Sequence, residues 1–197
     1  MSVDRNRVAA GFTRTQVGED EDGLIAAFGI PLTRLPADLW HGFAARLLDA
    51  VGGELEPDAE ELLVDSAHES GYHLGYGLLT SDAWRETVAP TLVRLPDDLL
   101  EGACAAFAAC GWPEAEIVAF TPGERLALRA ACGAADGPEG AGSDLRPRTA
   151  LLRGLAAALM DLACADQPYP DGLGTYRCAP AAPLPDGFRA DFVVTRA

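Results

Sequence analysis

TALLRGLAAALMDLACA, residues 149–165, has the pattern of a long helix that is apolar on almost all sides. Its only charged residues, Arg153 and Asp161, are eight positions apart and form one narrow stripe with Ala157 at a period of 3.6 residues. Five apolar residues lie on the opposite side: Leu151, Leu155, Ala158, Leu159 and Leu162. A helix whose solvent-facing stripe is so narrow must be covered by other elements, most simply by the face of a sheet. The segment therefore predicts a central buried helix.

Two pairs of strand-like segments supply that sheet. AEIVAF at 115–120, the turn TPGE and RLALRAA at 125–131 predict a β-hairpin, because arginine and alanine alternate with leucine along the second segment. GTYRCA at 174–179 and FRADFVVTR at 188–196 predict two further strands. One face of the last strand carries Phe188, Ala190, Phe192 and Val194. We predict an α+β fold with an antiparallel sheet packed by the central buried helix.

Helical patterns fill the chain before the first hairpin. Three long helices and a short one are predicted: ADLWHGFAARLLDAV at 37–51, DAEELLVDSAHESGYHLGYGLL at 58–79, a short helix capped by Ser81, and DLLEGACAAFAAC at 98–110. Residues 1–35 are expected to be a loosely structured lead-in with at most a short helix at Leu24–Phe28. The glycine-rich segment 133–144 is expected to be a flexible loop.

The charge balance argues against two classes of partner. The formal net charge is −15, and no local cluster is basic, so neither nucleic acid nor an anionic membrane surface is an expected partner. No apolar run is long enough for a membrane helix. The first residues have no apolar signal core, and we therefore expect a cytoplasmic protein.

Cysteine and histidine spacing gives no support for a metal or a disulfide framework. The five cysteines are an odd number without a CxxC pair, which favours buried free thiols. His68 and His73 are five positions apart, whereas a zinc-protease helix needs histidines four apart on one face. We expect no metal, no cofactor and no catalytic residue.

Aromatic residues are the remaining candidates for a functional site. Tyr72 and Tyr76 belong to a predicted helix that also contains Gly71, Gly75 and Gly77, and so many glycines indicate that another backbone or a ligand comes close. Further aromatic residues lie on the elements expected to face the central helix: Phe107, Trp112 and Phe120. A cavity lined in this way suits a small apolar or aromatic ligand, while an ordinary hydrophobic core explains the same spacing.

The order of four motifs resembles the 4-vinyl reductase domain family. The motifs are GYHLGYG at 71–77, GWPEAEIVAF at 111–120, TALLRGLAAAL at 149–159 and YRCAPAAPLPDGFRADFVV at 176–194. That family includes hydrocarbon-binding proteins, a bacteriochlorophyll-biosynthesis protein and the phenol-sensing domains of transcriptional activators. The resemblance covers roughly residues 57–196. It implies a ligand-binding domain at 56–197, preceded by an extension at 1–55 that is a candidate dimerisation element.

The chain departs from the family at its structural zinc site. Many members hold zinc with three cysteines and an acidic residue near the last hairpin. Here Thr149 stands where the first cysteine falls, Thr175 where the acid falls, and only Cys178 matches. One thiolate cannot hold a structural zinc that takes four ligands. The resemblance therefore implies a hairpin without zinc, held by the packing of Tyr176, Phe188 and Phe192.

The resemblance implies a non-catalytic, cytoplasmic domain that binds a small hydrophobic ligand, as a sensor or a carrier. We expect a homodimer that passes any signal to a separate protein. The predicted ligand contacts are Tyr72, Tyr76, Phe107, Trp112 and Leu151, with His73 as a polar anchor.

Two alternatives stay open. The first is an enzyme or accessory protein of tetrapyrrole or apolar-metabolite biosynthesis, in which His68, Glu69 or His73 handles protons. The second is a scaffold or dimerisation protein whose core is filled and binds no ligand.

Overall fold

The computed structural model describes residues 3–14, 24–27, 30–33, 37–53, 56–110, 112–132, 146–183 and 189–197. Six α-helices lie within these residues: α1 Arg5–Arg14, α2 Ala37–Val51, α3 Glu56–Thr80, α4 Asp82–Thr87, α5 Asp97–Ala109 and α6 Arg146–Cys164. The strands are β1 Leu24–Ala27, β2 Ile30–Thr33, β3 Ala115–Thr121, β4 Arg125–Ala131, β5 Tyr176–Cys178, β6 Ala182–Pro183 and β7 Arg189–Arg196. The predicted α+β fold with an antiparallel sheet is confirmed.

The main sheet has the strand order β3-β4-β7-β5, and β6 pairs with the other half of β7. All of its pairings are antiparallel, and the predicted hairpin at 115–131 is confirmed. Leu128 lies opposite Phe192, and Ala130 lies opposite Ala190, all with buried side chains. These side chains form the inner face of the sheet, because alternate residues of a strand point to the same side.

The predicted central helix is α6, which packs between α3 and the inner face of the sheet. The prediction of a solvent-facing stripe on this helix was wrong. Arg153 is only 4% exposed and Asp161 only 2%, and Ala157 between them is buried too. The stripe faces α3 and β5, where other side chains and backbone amides satisfy its charges. A charged residue can be buried when it is paired in this way.

Glycines allow α6 and α3 to approach each other closely. A Cβ atom on Gly154 would lie 2.3 Å from the carbonyl oxygen of Val64 and 2.6 Å from the amide nitrogen of His68. On α3, a Cβ on Gly71 would meet Leu155, and one on Gly75 would meet Leu162. Gly71 and Gly75 therefore mark the approach of a neighbouring helix to α3. The sequence predicted that either another backbone or a ligand comes close there, and the structure shows α6 in that place.

The first part of the chain is more structured than its sequence indicated. Leu24–Ala27 is a strand paired with β2 rather than part of a short helix, and Phe28 lies outside the described residues. An apolar run of four residues fits either a helix or a strand, so the spacing of its residues could not decide between the two. The helix α1 was not predicted, because Val8 and Phe12 are its only large apolar residues, yet both are buried in the main hydrophobic core.

The predicted helices at 37–51, 58–79 and 98–110 correspond to α2, α3 and α5. Ser81 caps α4, since its hydroxyl accepts a hydrogen bond from the amide of Trp84 at 3.1 Å. The loop predicted at 133–144 lies outside the described residues. Among the described helices, none is both long and apolar enough to cross a membrane.

We predict that Gly154→Ala lowers the free energy of unfolding by roughly 1–3 kcal/mol, because the added methyl group forces the two helices apart. Gly42 in α2 is the matched control. An added Cβ there meets nothing within 4 Å, so Gly42→Ala should stabilise the protein by about 0.5–1 kcal/mol. Urea denaturation of both variants measures the difference. Equal effects of the two substitutions would contradict the close contact of α3 and α6.

Candidate functional site

A cavity lies between the inner face of the sheet, α5 and α6. Its eleven lining residues are Cys104, Phe107, Pro113, Ala115, Leu128, Ala130, Leu152, Leu155, Ala156, Leu159 and Phe192. The α6 residues among them follow the i, i+3, i+4, i+7 spacing of one helix face. The central helix therefore has one face on the cavity and its polar stripe on another side.

The cavity is small and its walls are apolar. The centre of a water molecule can move through about 20 Å³ of it, which is room for one water molecule but not for an aromatic ring. Cys104 carries the only sulfur in the lining. Burial raises the pKa of this thiol to about 11, so it is neutral at physiological pH. The cavity can thus attract apolar groups but offers no charge.

One of the predicted ligand contacts lines this cavity, and a second packs against that residue from outside the lining. Phe107 is one of its lining residues, and Trp112 meets the Phe107 ring edge-on at a centroid distance of 6.4 Å. Leu151 is half-buried and does not line the cavity, whereas its neighbour Leu152 does. The helical period predicted a broad apolar face on α6, but it did not show which part of that face meets the sheet.

The other three predicted contacts form a separate aromatic cluster on α3 with Tyr169. The rings of Tyr76 and Tyr169 stack in parallel at 3.7 Å, and Tyr72 stacks on Tyr169 at 5.5 Å. Nδ1 of His73 lies within hydrogen-bond distance, 2.9 Å, of the Tyr169 hydroxyl. Tyr72 is buried, whereas Tyr76 is 40% exposed. None of the three lines the cavity, so the structure divides the predicted contacts between two places.

A buried pair that was not predicted links α3 to α6. Nε2 of His68 lies 2.6 Å from Oδ2 of Asp161, and both side chains are buried. The same carboxylate accepts hydrogen bonds from the amides of Gly174 at 2.7 Å and Tyr176 at 2.9 Å. It therefore joins two helices and the start of β5. The only sequence signal was an aspartate inside an apolar helix, and its partner is 93 residues away.

The negative charge of Asp161 also affects one tyrosine of the aromatic cluster, Tyr72. Burial is the main cause that raises the pKa of Tyr72, and the nearby negative charge of Asp161 raises it further. Tyr72 therefore keeps its proton at neutral pH. Asp161 therefore interacts both with His68 in the buried pair and with Tyr72 in the aromatic cluster.

Arg153 is a second buried charge that joins α6 to α3. Its guanidinium donates to Glu60 at 2.7 Å, to Glu61 at 2.6 Å and to the carbonyl of Cys178 at 3.3 Å. Among the buried side-chain atoms of the described residues, its Nε is the one nitrogen that lacks a hydrogen-bond partner. The two glutamates come from the first turns of α3, so the pairing anchors that end of the helix over β5.

Thr149, Thr175 and Cys178 stand where the resembling family has zinc ligands, and two of these three residues are threonines. The hydroxyl of Thr149 donates to the carbonyl of Arg146, and that of Thr175 donates to the carbonyl of Gly172. Cys178 is the one thiol among these positions, and burial raises its pKa to about 12. Within the described residues, no group of three or more His, Cys, Asp or Glu side chains could hold a metal ion.

Known proteins resemble this chain in structure rather than in sequence. No protein-family model matches the chain, and no curated protein matches it. Its structure is similar to the crystal structure of the phenol-responsive sensory domain of the transcription activator PoxR with phenol. The TM-score is 0.57 at 14% sequence identity, and the match covers 100% of this chain and 92% of that one. The chain shares the fold of that sensory domain.

We predict that Asp161→Ala costs roughly 3–5 kcal/mol of unfolding free energy, because it leaves His68 and two amides without their acceptor. Asp65→Ala is the matched control, since it removes the same carboxylate from an exposed ion pair with Arg177 and should cost at most about 1 kcal/mol. Thermal and urea denaturation check both values. A loss at Asp161 no larger than that at Asp65 would show that the buried network does not stabilise the fold.

Proposed function

We propose that the protein is a cytoplasmic, non-catalytic domain of the 4-vinyl reductase type that binds a small hydrophobic ligand, as a sensor or a carrier. The apolar cavity between α5, α6 and the sheet carries this proposal. The shared fold with a phenol-responsive sensory domain supports it. Small-molecule sites are concave and mostly apolar, and this cavity shares those two features but not the volume of such a site.

A ligand larger than water must enlarge the cavity. Leu155 and Leu159 on α6 and Phe107 on α5 have side chains that can change rotamer, whereas the paired strands below them are held on both sides. Trp112 is half-buried and touches Phe107, so we assign it to the rim through which a ligand enters. Phe107 and Trp112 are therefore the proposed ring contacts.

All six predicted ligand contacts stay predictions. Of the six residues, only Phe107 belongs to the cavity lining. Trp112 packs against Phe107, which gives it more support than Leu151, Tyr72, His73 and Tyr76 have. His68 faces a buried carboxylate, and His73 is within hydrogen-bond distance of a tyrosine hydroxyl outside the cavity. Neither histidine lines the cavity, so no geometry favours the enzyme alternative.

We also propose a homodimer that uses residues of the 1–55 extension and signals to a separate protein. Two large apolar side chains support a contact surface on the neighbouring helices α2 and α3. Phe43 is 58% exposed and Leu62 is 66% exposed. Exposed apolar groups of this size are common where proteins associate.

Toluene tests the ligand proposal. At ten times its dissociation constant, toluene should raise the unfolding free energy by about 1.4 kcal/mol, as seen in a thermal shift. Ala156→Leu fills the cavity from α6 and should abolish this shift. Ala50→Leu makes the same change on the exposed surface of α2 and should leave it unchanged. An equal shift in the protein and in Ala156→Leu would place binding elsewhere and contradict the proposal.

Sedimentation velocity tests the dimer. We expect a dimer at micromolar concentration, and a shift to monomer when Phe43 and Leu62 are both changed to aspartate, because the charges oppose burial of the surface. Val118→Asp alters an exposed apolar residue on β3 and serves as the control. A monomer at every concentration of the unchanged protein would rule the dimer out.

A further inference from the structure

Two stacked tyrosine rings are exposed on α3 and on the chain before β5, outside the cavity lining. The rings of Tyr76 and Tyr169 are nearly parallel, with an interplanar angle of 7° and a centroid distance of 3.7 Å. Tyr76 is 40% exposed and Tyr169 is 36% exposed. Because Tyr169 covers one face of the Tyr76 ring, the exposed area of that ring belongs to its outer face and its edges. The pair therefore offers aromatic surface to another molecule.

The segment that carries Tyr169 is held against α3. The Tyr169 ring stacks on the buried Tyr72 at 5.5 Å, and its hydroxyl lies 2.9 Å from Nδ1 of His73. The backbone at Gly172 is so close to α3 that a Cβ atom there would lie 2.9 Å from the Tyr72 hydroxyl. The aromatic surface is thus in place before a partner binds, which lowers the cost of ordering it on binding.

Two exposed carboxylates lie beside these rings. Glu69 is seven residues before Tyr76 on the same face of α3, and helical side chains lean toward the N-terminus, which brings the Tyr76 ring closer to Glu69. Asp171 follows Tyr169 by two residues, and its negative charge, with burial as the larger cause, raises the pKa of Tyr72 in the same cluster. We call Glu69, Tyr76, Tyr169 and Asp171 the tyrosine patch.

The carboxylates next to the tyrosine patch already have cationic partners. Asp65, earlier on α3, is paired with Arg177 of β5, and Asp166 is paired with Arg196 of β7. Within the part of the chain that the structure describes, the two carboxylates of the patch form no ion pair. Their negative charge is therefore available to a positively charged partner.

We infer that the tyrosine patch is a docking surface for an arginine-bearing segment of a separate protein. The face of an aromatic ring attracts a cation. A guanidinium group can lie flat on the Tyr76 ring and donate hydrogen bonds to a carboxylate at its edge, whereas an ammonium group lacks this planar fork. The inference rests on the proposed function only in taking that protein to be the partner that receives the signal.

A protein segment fits this surface better than a small cation does. The patch is exposed rather than enclosed, and one exposed contact between a cation and a ring strengthens binding only roughly two- to fivefold. A free cation would bind too weakly to be selected, whereas a chain segment adds contacts on both sides of its arginine. The net charge of −15 also favours the approach of a basic segment.

Two capped peptides of equal charge, tetra-arginine and tetra-lysine, test this inference. NMR titration of the isotope-labelled protein gives both dissociation constants, in about 0.15 M sodium chloride to weaken non-specific attraction. We expect the constant for tetra-lysine to be about threefold or more above that for tetra-arginine. Both peptides respond equally to the net charge of the protein, but only the guanidinium group has the planar shape that stacks on a ring.

Variants of exposed residues identify the groups that bind. Tyr76→Leu removes the ring and should lower the ratio of the two constants to about one, whereas Tyr76→Phe keeps the ring and should keep the ratio. Glu69→Gln removes a carboxylate of the patch and should weaken tetra-arginine binding roughly threefold. Glu116→Gln makes the same change of charge on the exposed surface of β3 and should weaken it less than about twofold.

Equal constants for the two peptides, or a ratio that Tyr76→Leu leaves unaltered, would overturn the inference. Tetramethylammonium binding as tightly as tetra-arginine would overturn it in favour of a small cation. Loss of the dimer in Tyr76→Leu would overturn it in favour of a contact between two copies of the chain.

The toluene shift separates this inference from the ligand proposal. Preference for tetra-arginine without a toluene shift would support the docking surface and contradict the ligand site alone. A toluene shift with equal peptide constants would overturn the docking surface alone.

Discussion

The close contact between α3 and α6 is the constraint on which the rest of the structure depends. At Gly154 the backbone of α3 is so near that a single methyl group cannot fit between the helices. Two buried charges on α6 act on either side of this contact: Arg153 holds the start of α3, and Asp161 holds His68. Close packing and paired charges together fix the position of α6 relative to the sheet.

Two faces of α6 make different contacts, and the proposed function depends on one of them. One face lines the apolar cavity with Leu155, Ala156 and Leu159. The other carries Asp161, which accepts a hydrogen bond from the chain before β5 and lies near Tyr72, the buried member of the aromatic cluster around Tyr169. A ligand in the cavity would contact α6, and the same helix is hydrogen-bonded through Asp161 to the chain before β5.

Strong periodic patterns were sufficient to predict most of the elements. The hairpin at 115–131, the central helix and the helix at 37–51 all follow from the spacing of apolar residues and from turn residues. Weak patterns failed: α1 has two large apolar residues, and Leu24–Ala27 is too short to show a period. Both elements depend on neighbours that are distant in the sequence, so tertiary contacts override local preference there.

The sequence by itself determined that the chain has a buried helix, an antiparallel sheet and apolar residues enough to surround a small ligand. It predicted that Phe107 and Trp112 lie on core-facing elements, because such aromatic residues can be recognised from their period, and in the structure the two rings are in contact. Only the tertiary structure decided that the Arg153 and Asp161 stripe is buried and that Tyr72, His73 and Tyr76 gather around Tyr169 instead of the cavity. A residue's period shows which side of its helix it occupies, but what lies against that side depends on chain segments up to a hundred residues away.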